Sequence, residues 1–468
     1  MKTFRTESLL FVVVLLFAVN SAVDAQTAGS LEGNWMGTLQ IPSGELRVVF
    51  RISKNADGTY GGFTDSPDQY QFGIRLGSVT FQDGSVRIEV PGVGSYEGKM
   101  VASDTIEGGL YAGKLPLTLK RVEQTPEPPR RPQTPQKPYP YREEEVAYDN
   151  AAASVRIAGT LTIPAGNGPF PAVLLIAGSG AADRDETIFA HKPFLVLADH
   201  LTRMGIAVLR VDKRGVGQTT GTFRGSGIKD FASDALAGVQ YLKTRPEVDG
   251  KKIGLVGHSE GGGTASVVAT QSRDVSYVVL LGSMGMSGYD ILVLQDGTEA
   301  RAAGKSDEEI ALIRGYSRRF YSIILEETER TAIEERARKL QDSLTEAEKK
   351  ALGWPNLGGS LSLNWALNPA AREMLQFDIC PILRKVSCPV LALNGSKDSQ
   401  VPPKENLGGI ARELKAGGNR NVTIREMPGL NHLFQTCETG ATSEYVKIEE
   451  TMAPAALEAI SSWIAEQR

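Results

Sequence analysis

From about residue 145 onward, short continuous apolar runs alternate with helix-favouring stretches, and this rhythm narrows the possible folds more than any other feature of the chain. The runs fall at residues 171–176, 205–211, 252–257, 277–281, 389–393 and 422–426, with a further strand or hairpin arm at 155–163. Helical segments lie among them, for example at 230–243 and 453–466. An apolar run without polar alternation fits a strand covered on both faces. The expectation is therefore an α/β chain: a mostly parallel sheet with helices on both sides. Between about 285 and 375 the strand rhythm stops. The residues there are charged and helix-favouring, as in Ile324-Leu325-Glu326-Glu327-Thr328-Glu329-Arg330 and at 332–340. This segment is read as a helical insertion capping the sheet, against the plainer reading of a peripheral helical extension.

The 468 residues leave room for two or three domains at roughly 100–200 residues each. Residues 26–122 read as a small all-β domain, a barrel or a sandwich. Strand-forming stretches at 46–52 and 85–90 are separated by turn clusters such as Asn55-Ala56-Asp57-Gly58. The stretch 27–122 holds no Cys or His, which favours a structural or spacing module over a binding module. Residues 123–144 are Pro-rich and read as an extended, semi-rigid spacer. Residues 1–25 read as a signal peptide: Lys2 and Arg5 precede an apolar core too short for a membrane span, and small residues follow before Gln26. The expected location is exported, periplasmic or secreted, with no integral membrane segment after signal removal. A formal net charge of −4 and the lack of a long basic run leave no support for a nucleic-acid partner. Three cysteines, Cys380, Cys388 and Cys437, form no disulfide framework, although export permits one bridge.

Gly257-His258-Ser259-Glu260-Gly261 matches the G-x-S-x-G pattern, after a strand and before a small-residue helix. In that context Ser259 sits on a sharp turn that lifts its hydroxyl above the sheet edge, and small residues two positions away let strand and helix approach. A hydroxyl needs a general base. Of the four histidines, His258 lies inside the turn, His191 and His200 precede the serine, and His432 follows the last strand, so His432 is the candidate base. Asp398, in the turn after the strand at 389–393, is the candidate orienting carboxylate. An oxyanion site needs two backbone donors. Glu260 supplies one, and the loop Ala177-Gly178-Ser179-Gly180 supplies the other, from Ser179 or, failing that, Gly180. Arg184 and Arg214 are read as loop braces, paired with acids such as Asp183, Asp185 or Asp212, more than as binders of a substrate carboxylate.

Together with Asp183-Arg184-Asp185, Asp212-Lys213-Arg214-Gly215-Val216-Gly217, Asn394-Gly395-Ser396-Lys397-Asp398 and Asn431-His432, these motifs resemble the α/β-hydrolase superfamily. More narrowly they resemble its serine aminopeptidase-like and acyl-esterase branch, over roughly residues 145–468. The resemblance implies an α/β-hydrolase sheet and hydrolysis through a covalent acyl-enzyme with no cofactor, and no metal is expected; the helical cap rests on position, because the insertion leaves from the end of the strand after the nucleophile. Ser259 is then the nucleophile, His432 the base and Asp398 its partner. Ala177-Gly178 departs from the His-Gly pair of many members. The function expected is an exported serine hydrolase cleaving small carboxylic esters of short to medium acyl chains. A peptidase or amidase using the same residues, and a binding protein with a vestigial triad, are the alternatives.

Overall fold

The computed structural model describes residues 30–41, 44–111, 113–354 and 359–467; the expected signal segment lies outside them. The chain divides into two compact units, one of Met1–Ser66 with Gly73–Thr125, the other of Pro67–Phe72 with Pro126–Arg468.

In the first unit, strands Gly33–Ile41, Gly44–Lys54, Tyr60–Ser66, Ser78–Gln82, Ser85–Val90, Gly94–Ala102 and Thr105–Leu110 follow one another as antiparallel neighbours. Leu119–Val122 pairs with both Thr105–Leu110 and Gly33–Ile41, which closes an eight-stranded barrel among the described residues. Closure removes the exposed sheet edge. Alternation sends every second side chain inward. Trp35, Phe50, Ile88, Tyr96 and Ile106 fill the interior and are fully buried. The choice between barrel and sandwich falls to the barrel, with a packed centre.

The second unit is built on an eight-stranded sheet, again among the described residues. Its order is Arg142–Asn150, Val155–Ile163, Ala207–Val211, Phe170–Ile176, Val248–His258, Val275–Leu281, Val390–Gly395, Val422–Met427. The first two pairings are antiparallel and the remainder parallel. Period-two geometry explains the apolar runs. Leu174 and Ile176 enter one core while Val173 and Leu175 enter the other. Both faces are buried, so no polar position interrupts the strand. Helices Ile228–Thr244 and Glu260–Gln271 pack into the first core, and Pro193–Arg203 and Pro454–Glu466 into the second. Among the described residues no helix is long and apolar enough to cross a membrane.

The insertion holds helices Gly288–Ala302, Asp307–Glu326, Arg330–Asp342, Glu346–Leu352, Leu363–Ala366 and Pro369–Gln376. Ser306 with Glu309, and Thr345 with Glu348, form reciprocal N-terminal caps. The helix-favouring run 324–330 is not continuous, because Glu327 turns to extended backbone. Arg372 donates to the carbonyls of Leu325 and Glu327, satisfying acceptors that the ended helix leaves open. The Pro-rich stretch is held against its own unit: Arg131 donates to the carbonyls of Phe189, Val446 and Ile448, and Gln133 to that of Met452.

Candidate active site

Ser259 occupies φ 53° and ψ −121°, between strand Val248–His258 and helix Glu260–Gln271. A non-glycine residue there is strained, and the surrounding fold must hold it. The flanking glycines show why. A Cβ on Gly257 would run into the backbone of Gly261, and one on Gly261 into the carbonyl of Ile176. The amide of Ser259 is tied to the Leu281 carbonyl at 2.8 Å.

His432 lies after the strand Val422–Met427, and Asp398 after Val390–Gly395. The sheet brings them together: His432 Nδ1 is 2.7 Å from Asp398 Oδ2, and both residues are buried. The other oxygen, Oδ1, accepts the amides of Gln400 at 2.9 Å and Val401 at 2.7 Å. The carboxylate is thus fixed in direction and acts as acceptor for Nδ1–H. This leaves Nε2 as the ring nitrogen available to a hydroxyl. Gly282 makes room for the pair; a Cβ there would lie 3.1 Å from His432 Nδ1 and 3.2 Å from Asp398 Oδ2.

The loop that carries His432 is coupled to the serine turn through His258. Its Nε2 lies 3.1 Å from the His432 carbonyl, and the two imidazole rings have centroids 4.7 Å apart. His258 Nδ1 faces Glu186 Oε1 at 2.9 Å. With both nitrogens engaged, His258 takes no part as a base for Ser259. Burial works against its charged form, yet the charge and hydrogen bond of Glu186 prevail and hold its pKa above the usual histidine value.

The loop after Phe170–Ile176 runs against the serine: a Cβ on Gly178 would lie 3.2 Å from Ser259 Cβ. The Gly178 amide is occupied, donating to Glu186 Oε1 at 2.6 Å. The Gly178 carbonyl accepts from Lys213 Nζ at 2.5 Å. Next in the chain come Ser179, whose N–H shares the Gly178–Ser179 peptide, and Gly180 at φ 96°. Glu260 is the first residue of its helix, so no carbonyl of that helix can take its N–H.

Arg184 pairs with Asp212 at 2.8 Å, and Arg214 with Asp230 at 2.9 Å and Asp234 at 2.7 Å, so both brace. For Arg214 the partners are helix residues rather than the nearby loop acids. His191 bonds to Thr451 and His200 to Ser461. Sequence reasoning gave no role to Glu186 or Lys213. Glu186 follows Asp183-Arg184-Asp185 without any local mark, and its φ of 52° is visible only in three dimensions. Lys213 carried a weak signal, a charge two residues after the end of a strand. All three cysteines are free thiols. Among the described residues no group of three or more His, Cys, Asp or Glu is arranged to hold a metal ion.

Esterase EstD of Thermotoga maritima is 30% identical over 296 residues, covering 62% of this chain and 61% of its own length. The chain therefore spans about three fifths of that relative. Among solved structures, Est1E from Butyrivibrio proteoclasticus with bound ferulic acid aligns at 18% identity and TM-score 0.42, over 69% of this chain and 98% of its own. An esterase from Pyrococcus furiosus aligns at 16% identity and TM-score 0.41, over 70% and 91%. A family model described as X-Pro dipeptidyl-peptidase (S15 family) matches residues 153–415, more than half of the chain. On that match, joined to a sheet with a strained serine turn at its centre, the chain belongs to the S15 family of α/β-hydrolases.

Proposed function

We propose that the protein is an exported serine hydrolase that cleaves carboxylic esters of short to medium acyl chain length through an acyl-enzyme on Ser259. The observation that carries this reading is the 2.7 Å contact of Asp398 with His432 beside the strained turn of Ser259. In the first half-reaction Ser259 Oγ attacks the ester carbonyl and His432 Nε2 takes the hydroxyl proton. The tetrahedral oxyanion rests on the amides of Glu260 and Ser179, with Gly180 as the fallback donor. Collapse breaks the ester C–O bond, and His432 returns its proton to the departing alcohol. Water then attacks the acyl-enzyme with His432 again as base, releasing the acid and restoring Ser259. The reaction draws only on side chains and backbone dipoles. The likeness to an esterase favours the ester as substrate.

The test is turnover of an aryl ester panel by the protein and by Ser259→Ala. The variant is expected to lose activity on the order of 10³-fold or more. Turnover at the unmodified rate would remove Ser259 from its role. Failure of a fluorophosphonate probe to label the protein would favour a binding protein instead. The family description supports a second reading, a peptidase or amidase with the same residues. Aminoacyl and X-Pro anilides assayed beside the aryl esters separate the two by which kcat/KM dominates. Export is tested by recovering the protein outside the cytoplasm with Gln26 as its first residue.

A further inference from the structure

Lys213 lies in the interior of the second unit, 9% exposed, with its ammonium 4.4 Å from the ring centroid of Phe231. Two acceptors meet it. One is the Gly178 carbonyl at 2.5 Å; the other is Glu260 Oε2 at 3.1 Å. These contacts join the two places that bear the proposed oxyanion donors. Glu260 carries the first donor on its own backbone. The Gly178 carbonyl belongs to the same peptide as the N–H of Ser179, and a planar trans peptide points its N–H opposite its C=O. Fixing the carbonyl therefore fixes the direction of the Ser179 N–H. An ammonium on the carbonyl oxygen also polarises the amide and makes its N–H a stronger donor. Glu186 holds the same glycine from the other side through its N–H, so the peptides on both sides of Gly178 are anchored by buried charged side chains.

The fold alone does not call for a charge at this position. An apolar side chain of similar length would pack on Phe231 without the several kcal/mol needed to take an ammonium out of water. We infer that Lys213 is a positioning residue of the oxyanion site: through the Gly178 carbonyl and the Glu260 carboxylate it sets the aim and strength of the two backbone donors. This inference rests on the proposed ester hydrolysis at Ser259.

The experiment uses the full chain and compares Lys213→Met with the unmodified protein on a p-nitrophenyl ester and on its thionoester. Replacing the carbonyl oxygen by sulfur weakens the hydrogen bonds of the oxyanion, so the ratio of the two rates reports on the donors themselves. Lys213→Met is expected to lower kcat on the oxygen ester by about 10- to 100-fold with KM nearly unchanged. The oxygen-to-sulfur rate ratio should shrink, and Lys213→Arg should recover part of it. A rate loss with an unmoved ratio means that Lys213 only supports the fold, and it overturns the inference; an unchanged rate does so as well. If Lys213→Met does not fold, Lys213→Arg carries the test, because its planar fork cannot reproduce both contacts of a compact ammonium. A shifted ratio then supports the inference and an unmoved ratio overturns it. Turnover that survives in Ser259→Ala overturns the hydrolase reading itself. Turnover that depends on Ser259 but ignores Lys213 overturns only the present inference.

Discussion

The backbone carbonyl of His432 lies 3.1 Å from Nε2 of His258, the residue immediately before Ser259. The loop carrying the candidate base is thus hung on the serine turn by a second imidazole. Both nitrogens of His258 face acceptors, the His432 carbonyl and the Glu186 carboxylate, and only the protonated ring can donate to both. Its raised pKa, with Glu186 outweighing burial, agrees with that form. The sign of the pH effect follows. This interaction is fully present below the unfolded value of about 6.5 and is lost as pH rises through the higher folded value. We expect His258→Leu to cost about 3–5 kcal/mol near pH 6, since it removes the cation beside the buried Glu186 carboxylate. The gap between the two proteins should narrow on the alkaline side. Thermal melts from pH 5 to 9 check this; a gap that does not change with pH would show that folding leaves the His258 pKa unshifted, and one that widens on the alkaline side that His258 folds neutral.

Gly282 turns at φ 54° directly behind the Asp398–His432 pair. A methyl group there meets the left-handed backbone and a gap of 3.1–3.2 Å to the two side chains. Gly282→Ala is expected to push the imidazole off the carboxylate and lower kcat by about 100-fold, since misplacement by an ångström has that effect. Asp398→Asn, which keeps the shape but reverses the preferred tautomer, should fall further, on the order of 10⁴-fold, by analogy with the serine-protease triad. The measurement is kcat on an aryl ester, with circular dichroism to show that both variants remain folded.

Local signals in the chain lead to the strands of the second unit and to the three candidate catalytic side chains, for a physical reason. A strand buried on both faces takes a polar residue only where a partner meets it, as Asp185 meets Arg210, so the unbroken run Ala172-Val173-Leu174-Leu175-Ile176 announces itself. Gly257 and Gly261 leave a mark because backbone crowds the space where their Cβ atoms would go. What joins these pieces leaves no such mark. Glu186 reaches Gly178 and His258 across 8 and 72 residues, and nothing in its neighbours records either contact. The carbonyls at the break after Glu326 are met by Arg372, which is 45 residues beyond Glu327. Pro-rich composition speaks for extended backbone but not for what Arg131 and Gln133 bind.

His191 shows the opposite electrostatics to His258. It is fully buried, contacts Thr451 Oγ1 and the Tyr445 carbonyl, each at 2.9 Å, and has no carboxylate partner among its bonds. Burial pushes its pKa down to about 4. The unfolded chain then binds a proton that the folded one refuses, so stability is complete above about pH 6.5 and declines as pH falls toward 4. His191→Gln, able to make similar hydrogen bonds without titrating, is expected to flatten this acid limb. Urea unfolding at pH 4.5 and pH 7 reads it; an acid limb as steep in the variant as in the unmodified protein assigns the loss to other groups.

Arg131 anchors the segment that His191 also touches. Its guanidinium donates to the carbonyls of Val446 at 3.1 Å and Ile448 at 3.0 Å, and His191 holds Tyr445 and Thr451 on either side of them. The segment 445–451 is thus fixed through its backbone acceptors by two residues more than 250 positions earlier. It also contributes Tyr445, whose hydroxyl accepts from Gln400, a neighbour of Asp398. Loosening the segment should therefore reach the acid loop. Arg131→Ala removes several charge-assisted bonds to carbonyls, each contributing about 1.5–3 kcal/mol at most when buried and less for this partly exposed side chain. We expect a lower melting temperature, faster amide exchange across 445–451, and a smaller change, of a few-fold, in kcat. Exchange mass spectrometry decides between this and a free spacer. If Arg131→Ala leaves exchange in 445–451 at the level of the unmodified protein, the Pro-rich stretch does not support the loop.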